Sequence, residues 1–489
     1  MTSTLSQPTS FSDALRNRWT APSGYREVLQ RAIPLIVSTG TFSVQHFVNR
    51  IFLAQYSQTS LAASMPAGMS SFTLVAFFIG TAAYATSFVA QYFGAKEYRR
   101  IGPAVWQGIY FACLAGILLP LVAPLGEPLF RWAGHAPEVQ RQETLYFKIV
   151  MLWGFFPIYS NAISAFFTGL ARNWIIMVGN VMVTALNILL DYCLIFGHWG
   201  FPEWGIEGAA WASNIAVACG SLFFTLLLFR KKNEQHFAVH SGWRFDRPLF
   251  FRLLKFGIPS GAHFMLDILG FTLFILIVGR IGTNELAATD IAFQINSIAF
   301  MPMIGFGITV STLVGQRLGE NNPMLATKAV WSAFHLAFMY MATISLCYVV
   351  APTLFLAPFI PAQHAETFTP ILAITKTLLY FVATYCMLDT LNIIFSSALK
   401  GAGDTRFVMC VSVTMAWTIM VIPTWIACSY FKSGVYTAWF FLSGFVMTLG
   451  SAFLARFLQG KWKAMRIIEM PVRCANTAVT PATGDEVDL

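Results

Sequence analysis

Long apolar blocks alternate with short polar segments along the chain, and each block has about the 20 residues that cross a bilayer as a helix. The blocks lack the strict alternation of a half-buried strand, so they predict helices rather than a barrel. Pro352, Pro358 and Pro361 interrupt the pattern at the end of the ninth block. The twelve blocks are expected near residues 33–53, 62–90, 103–125, 146–170, 174–197, 208–229, 253–279, 286–316, 326–357, 369–398, 407–430 and 435–458.

Short motifs recur in the two halves of the chain at one constant offset. Pro34 and Pro259 are 225 positions apart, and so are Gln91 and Gln316. The chain therefore holds two copies of a six-helix unit, and because six is even, both copies begin on the same side of the membrane. The predicted fold is an all-α membrane protein with two six-helix lobes related by a pseudo-two-fold axis around a central cavity. The predicted divisions are a cytoplasmic N-terminal segment at 1–28, an N-lobe at 29–229, a linker at 230–252, a C-lobe at 253–458 and a tail at 459–489.

Charge is scarce and unevenly placed. Charged residues make up 11% of the chain, against about 25% in soluble domains, and 56% of residues are hydrophobic. Lys and Arg cluster near the N-terminus and at 96–100, 230–252 and 461–466, whereas 54–60, 198–207 and 358–368 contain neither. The positive-inside rule then predicts a multi-pass protein of the cell inner membrane with both termini and the linker in the cytoplasm. The net charge of +9 reflects this topology, and no nucleic-acid partner is expected.

The sequence carries no motif for ATP use or catalysis. It has neither a G-x-x-x-x-G-K-[ST] loop nor an H-E-x-x-H motif. Its eight cysteines form no C-x-x-C pair and lie mostly in apolar blocks, where they are expected to pack as small apolar residues. We therefore expect no enzyme activity, no catalytic residue and no cofactor, and an ion gradient must drive any uphill work. The chain is expected to be monomeric.

Four short segments of the chain match motifs of a known protein family. They are Ala90-Gln91-Tyr92-Phe93-Gly94-Ala95, Val314-Gly315-Gln316-Arg317-Leu318-Gly319, Phe166-Phe167-Thr168-Gly169 and Ala398-Leu399-Lys400-Gly401. In their order, spacing and duplication, the chain resembles the multidrug and toxic compound extrusion (MATE) transporters, in their NorM-like and DinF-like bacterial branches. The resemblance runs from about residue 30 to 455. It implies two six-helix lobes, a central cavity, and antiport of organic cations against protons or sodium ions.

Acidic residues inside membrane helices are rare, at a cost of roughly 2.5–3.5 kcal/mol each on insertion scales, so each one is a functional candidate. Asp267 follows Pro259 by eight residues, and Asp389 precedes Gly401 by twelve. The resemblance implies that both are ion-coupling acids of the C-lobe, holding a proton or, through hard oxygen ligands, a sodium ion. The alternative is a structural carboxylate tied to a neighbouring helix. His263 lies one turn before Asp267 and is expected among the substrate-binding residues, where it tunes that acid or relays its proton. The alternative is a histidine that only packs.

A second candidate site lies in the predicted N-lobe. Asn187 and Asp191 are one turn apart in the fifth block, and Ser213 lies in the sixth. The resemblance implies that these side chains help to form a cation site, with a possible sodium ion at Asp191. Asn49 stands where many members carry an aspartate, and because an amide does not titrate, this departure puts a proton site there in doubt. The alternative is an interhelical hydrogen-bond clamp.

Asp290 and Gln294 open the eighth block, one turn apart, where the resemblance implies contact with drugs. An acid near the outer mouth would attract a cationic solute, although a polar helix start at the interface is an equally good explanation. Lys376 in the tenth block is a further candidate for a buried charge.

The leading hypothesis is that the chain lies in the lipid bilayer and exports small organic cations by antiport. A flippase for lipid-linked saccharides is a rival, but it would need Lys and Arg along the cavity, whereas the intramembrane charges here are mainly acidic. An exporter of an endogenous neutral metabolite is the other alternative. An intramembrane enzyme would need a nucleophile–base pair, and the sequence offers none at helical spacing.

Overall fold

The computed structural model describes residues 18–359 and 365–469, and within these ranges the chain is helical without any strand. The first half of the chain supplies six long helices. They are α1 Tyr25–Tyr56, α2 Gln58–Gly94, α3 Ile101–Val122, α4 Pro137–Leu152 with Phe155–Gly169, α5 Asn173–Phe196 and α6 Ile206–Leu228. The two parts of α4 meet at a bend of 41°.

The second half repeats this arrangement with six further long helices. They are α7 Arg247–Gly279, α8 Thr283–Gly319, α9 Pro323–Val350, α10 Ala365–Ala402, α11 Thr405–Ser429 and α12 Val435–Leu458. Short helices at Lys231–Phe237 and Ser241–Trp243 lie between α6 and α7. The prediction of an all-α membrane fold is confirmed, because every predicted block overlaps one long helix.

The lengths and composition of these helices fit a membrane protein. Ten helices in the described ranges are long and apolar enough to cross a bilayer, and the bent pair of α4 makes an eleventh. α1 has the length of a span but a more polar face, which includes Gln45 and Asn49. The ninth block was predicted to reach residue 357, which is wrong. α9 ends at Val350, and Pro352 begins a separate short helix because proline cannot continue the previous one.

Each half packs around its own apolar core, and the first helix of each half also reaches into the other core. Val28 and Ala32, at the start of α1, are buried in the core of the second half. Leu249 and Leu253, at the start of α7, are buried in the core of the first half. The two lobes are therefore joined at the end of the bundle where α1 and α7 begin.

We call this end the basic face, because exposed basic residues gather there. They include Arg99, Arg230, Lys232, Arg244 and Lys461. Midway along α1, the Thr39 hydroxyl donates a hydrogen bond to the Met301 carbonyl of α8 at 2.9 Å. The lobes are thus in contact at the middle of the bundle as well as at the basic face.

Candidate functional site

A polar cluster in the second half contains the acid of α7. The Asp267 carboxylate lies 3.6 Å from Nε2 of His263, one turn earlier on the same helix. The same His263 nitrogen lies 2.9 Å from the Ser412 hydroxyl of α11, so this hydroxyl links the two helices. His263 is buried, whereas the Asp267 side chain keeps 38% of its exposure. The histidine is therefore fixed by packing, and the carboxylate remains open to an ion.

Asp389 lies close to this cluster, on α10. It is 7% exposed and accepts a hydrogen bond from the Asn392 amide at 3.0 Å. Its charge and that of Asp267 act on each other, and Lys400, also on α10, acts on Asp267 in turn. The structure therefore places the two predicted acids of the second half within range of each other's charge. It adds a lysine that the sequence analysis quoted only as part of a motif.

Lys376 does not play the part that the sequence suggested. Its side chain is exposed on the surface of α10, so the prediction of a buried charge there is wrong. Both lysines lie on the same helix, but Lys376 precedes Asp389 by thirteen residues, about three and a half helical turns, which puts it on a different face. The one available signal was that Lys400 follows Asp389 by eleven residues, close to three helical turns, so that the two share a face.

Helix α11 is irregular beside Asp267. Residues Ala416–Val421 form a π-helical turn, which is rare and occurs mostly at functional positions. A narrow cleft between α7 and α11 is lined by Asp267, Ser412 and Trp417, among others. Ala416 and Trp417 of this turn line the cleft beside Asp267, so the irregular part of α11 lies next to the carboxylate.

The first half holds a separate polar cluster, at α5 and α6. With its amide oriented to satisfy both neighbours, Asn187 donates to Asp191 Oδ2 at 3.0 Å and accepts from the Ser213 hydroxyl at 3.2 Å. Asn187 and Asp191 are fully buried. The structure therefore brings these three predicted residues together.

Helix α1 packs along α5 and adds the Gln45 amide to this cluster. The Gln45 side-chain amide lies 3.1 Å from that of Asn187, a contact that the sequence analysis missed. Asn49 lies one turn further along α1. Oδ1 of Asn49 and Oδ1 of Asp191 are both buried without a hydrogen-bond donor among the described residues. Buried oxygens without a donor fit a proton or a hard cation such as sodium.

The predicted substrate residues lie at the start of α8. Asp290 is half-buried, and Gln294 is exposed one turn later. The charge of Asp290 is opposed by that of Arg50, which projects from α1 in the other half. The two charges therefore lie within electrostatic range of each other, on different halves of the chain, a proximity that the sequence alone did not indicate.

The basic face is closed by two equivalent glutamines, which we call the gate. Gln91 of α2 donates to the Gly401 carbonyl at 3.1 Å, and Gln316 of α8 donates to the Gly169 carbonyl at 2.8 Å. Each bond crosses from one half of the chain to the other. The repeated motifs of the sequence thus hold the two lobes together at this face.

Comparisons with known proteins agree with this architecture. The MatE family model matches residues 34–193 and 259–426, once in each half. A probable multidrug resistance protein NorM from Rhizobium meliloti is 29% identical over 455 residues, which cover 92% of this chain and 95% of that protein. The multidrug resistance protein PmpM from Pseudomonas aeruginosa is 28% identical over 400 residues, which cover 81% and 82% of the two chains.

A solved structure shows the same fold. It is described as the outward-facing conformation of a multidrug resistance MATE family transporter, and it superposes with a TM-score of 0.82 at 18% identity. The match covers 92% of this chain and 99% of that one. Because the family model matches both halves over most of their length, the chain belongs to the MatE family: it is a multi-pass, NorM-like MATE transporter and not an enzyme.

Proposed function

We propose that this transporter exports multiple lipophilic organic cations across the cell inner membrane, in exchange for protons or sodium ions. The names of its NorM and PmpM relatives support multidrug efflux. The basic face is cytoplasmic in this proposal, which follows from the placement of its Lys and Arg residues. The structure then corresponds to a state closed toward the cytoplasm.

The observation that carries the proposal is the set of acids within the bundle. Asp191, Asp267 and Asp389 all lie in long apolar helices. An uncompensated carboxylate in such surroundings is unfavourable, so each acid needs a proton, a metal ion or a cationic ligand. A coupling ion and an organic cation that compensate the same charge exclude each other, and this competition is the basis of antiport.

The gate supplies the second requirement, alternating access. Gln91 and Gln316 bond across the lobes at the basic face, and in this proposal they block access from the cytoplasm, so that the acids exchange ions with the opposite side. A coupling ion enters from that side and displaces the cargo. Ion binding removes negative charge from the cavity, so it favours the state in which no cargo is held, and the gate then opens toward the cytoplasm.

The two clusters differ in the ion that they suit. In the first half, the Asn49 amide and the Asp191 carboxylate each have a buried oxygen without a donor among the described residues, and hard oxygen ligands of this kind suit sodium. In the second half, Asp267 lies beside the imidazole of His263, which presents nitrogen rather than the oxygen ligands that a hard cation prefers. The second-half acids are therefore assigned as the proton site, and the first-half cluster as a secondary cation site.

Transport in proteoliposomes tests this function. The purified chain is reconstituted, and uptake of a fluorescent lipophilic cation such as ethidium is followed while a pH gradient and a sodium gradient are imposed separately. Uphill movement of the dye under at least one gradient supports antiport. Movement that no gradient affects, or equal movement of a neutral analogue, overturns the proposal.

A further inference from the structure

The segment that follows α12 crosses the basic face from one lobe to the other. This segment, Lys461–Glu469, is called the strap. Its first end is fixed to the second half of the chain by Trp462, which is fully buried. The Trp462 ring stacks on Phe457 at 4.8 Å, and its Nε1 donates to the Phe457 carbonyl at 2.9 Å.

The other end of the strap is buried in the first half. Ile467 and Ile468 are 1% and 8% exposed and belong to the apolar core of that half. The backbone N–H of Ile467 donates to Oε1 of Gln91 at 3.0 Å. Gln91 is the gate residue whose amide nitrogen bonds to Gly401, so the strap occupies the remaining hydrogen-bonding atom of that side chain.

Charged residues reinforce this position. The Glu469 carboxylate pairs with Arg252 at 2.6 Å and lies 3.8 Å from Arg100. Arg100 precedes α3 in the first half, and Arg252 lies near the start of α7 in the second half. Arg466 donates to the Asn321 side chain, just after α8, at 3.0 Å. The strap thus contacts residues of both halves at the seam that the gate closes.

From these contacts we infer that the strap is a latch, which stabilises the state closed at the basic face and must leave Gln91 and the first-half core before that face opens. The inference rests on the alternating access of the proposed function. A latch needs an apolar anchor in one lobe and a buried contact in the other. A segment attached to one lobe alone would move with that lobe and would not oppose the separation of the two lobes.

The latch is also asymmetric. In the equivalent position of the other half, the Gln316 oxygen accepts from the Arg31 side chain rather than from a terminal segment. Opening of the basic face therefore breaks two side-chain bonds at Gln316, but at Gln91 it also requires a chain segment to leave an apolar pocket. Shortening the chain at its C-terminal end should consequently release one side of the gate and leave the other intact.

Double electron–electron resonance in liposomes measures this directly. Spin labels at Arg99→Cys and Met324→Cys report the distance between the lobes at the basic face, because both residues are exposed and lie on different halves. The labels are introduced into a chain whose native cysteines are replaced. Three chains are compared: the full chain, a chain that ends at Ala464, and a chain that ends at Glu469, which keeps the whole strap.

We expect the chain that ends at Ala464 to show at least a threefold larger population of the longer distance, while the chain that ends at Glu469 matches the full chain. Glu469→Gln, which keeps every backbone contact, should give an intermediate shift, and Lys461→Gln should give none. Identical distances in the full chain, the Ala464-ending chain and Glu469→Gln would overturn the latch. No cargo or ion gradient is needed, so failure of the proposed antiport leaves this measurement interpretable.

Discussion

Gly94 of α2 lies against the backbone of Gln316 of α8, so closely that a methyl group on the glycine would collide with the Gln316 carbonyl oxygen. The equivalent glycine of the second half, Gly319, meets the Gln91 carbonyl in the same way. The repeated Gln-x-x-Gly motif thus has two linked roles. Its glutamine bonds to the opposite lobe, and its glycine allows the two helices to approach closely enough for that bond.

Gly94→Ala and Gly319→Ala should therefore open the basic face. The added methyl group pushes the two lobes apart at backbone atoms that cannot rotate away, so the closed state loses stability relative to the open one. We expect the inter-lobe distance between labels at Arg99 and Met324 to lengthen in each variant, and export to fall at least fivefold.

Gly444→Ala is the matched control for these substitutions. Gly444 also lies inside a long helix, but an added methyl group would meet nothing within 4 Å. Normal export by this variant would show that the loss is specific to the gate. If Gly94→Ala and Gly444→Ala behave alike, the close approach of α2 and α8 has no part in gating.

The orientation of the chain can be tested by cysteine labelling on intact cells. Cysteines placed at exposed positions of the 197–207 segment should react with a reagent that does not cross the membrane. Cysteines in the 233–245 segment should react only after the cells are opened, because the basic residues there keep that side in the cytoplasm. Labelling of 233–245 from outside would place the basic face in the periplasm and reverse the proposed direction of export.

Asp290 and Arg50 should have opposite effects on the choice of cargo. The Asp290 charge attracts a cation entering between the lobes, and Arg50 opposes this attraction. Asp290→Asn should lower export of lipophilic cations at least threefold more than export of neutral compounds, whereas Arg50→Gln should increase cation export. The measurement is dye accumulation in a pump-deficient host.

Glu285→Gln is the control for Asp290→Asn, since Glu285 lies on the same helix, in its first turn. It should change export of both classes of compound equally or not at all. An equal loss of cationic and neutral cargo in Asp290→Asn would assign Asp290 a structural role instead.

The sequence predicted the fold more completely than the site, and the reason is physical. The apolar blocks of bilayer length follow from local composition. The constant offset between Gln91 and Gln316 follows from an internal repeat. Both features can be identified from the order of residues alone. The contact of Gln45 with Asn187 and the proximity of the Lys400 charge to Asp267 depend on how helices distant in sequence are rotated against each other. No periodicity within one helix specifies that rotation.

The strap and the end of α9 are two further features that the sequence did not predict correctly. Pro352 marked a break correctly, but apolar residues beyond it extended the predicted block, since hydropathy does not distinguish a span from a short helix that follows it. The strap is a short, mixed sequence whose isoleucines give no periodic signal. Its burial against Gln91 is visible only once the two halves are assembled.

The final prediction concerns the acids that couple ion movement to export. Exchange of one proton for one monovalent cation moves no net charge, so it draws only on the chemical gradient of the ion. One pH unit then supplies about 1.4 kcal/mol, roughly a tenfold ratio of cargo concentrations. A second ion adds about 2.3 kcal/mol for each 100 mV of membrane potential. Asp267 and Asp389 lie close enough for their charges to interact, and together they can hold that second ion.

Asp267→Asn and Asp389→Asn should therefore each lower uphill export at least tenfold in proteoliposomes, while the protein still inserts and binds cargo. Asp191→Asn should cost less, and Asn49→Ala less again, because an amide carries no charge to exchange. Asp404→Asn is the control: its carboxylate is buried but pairs with Arg456 at 2.7 Å on the basic face, so its loss should affect stability and not coupling. A variant order in which Asp267→Asn still pumps and Asp191→Asn does not would move the coupling site to the first half, where the Asn187, Asp191 and Ser213 cluster would then hold the driving ion.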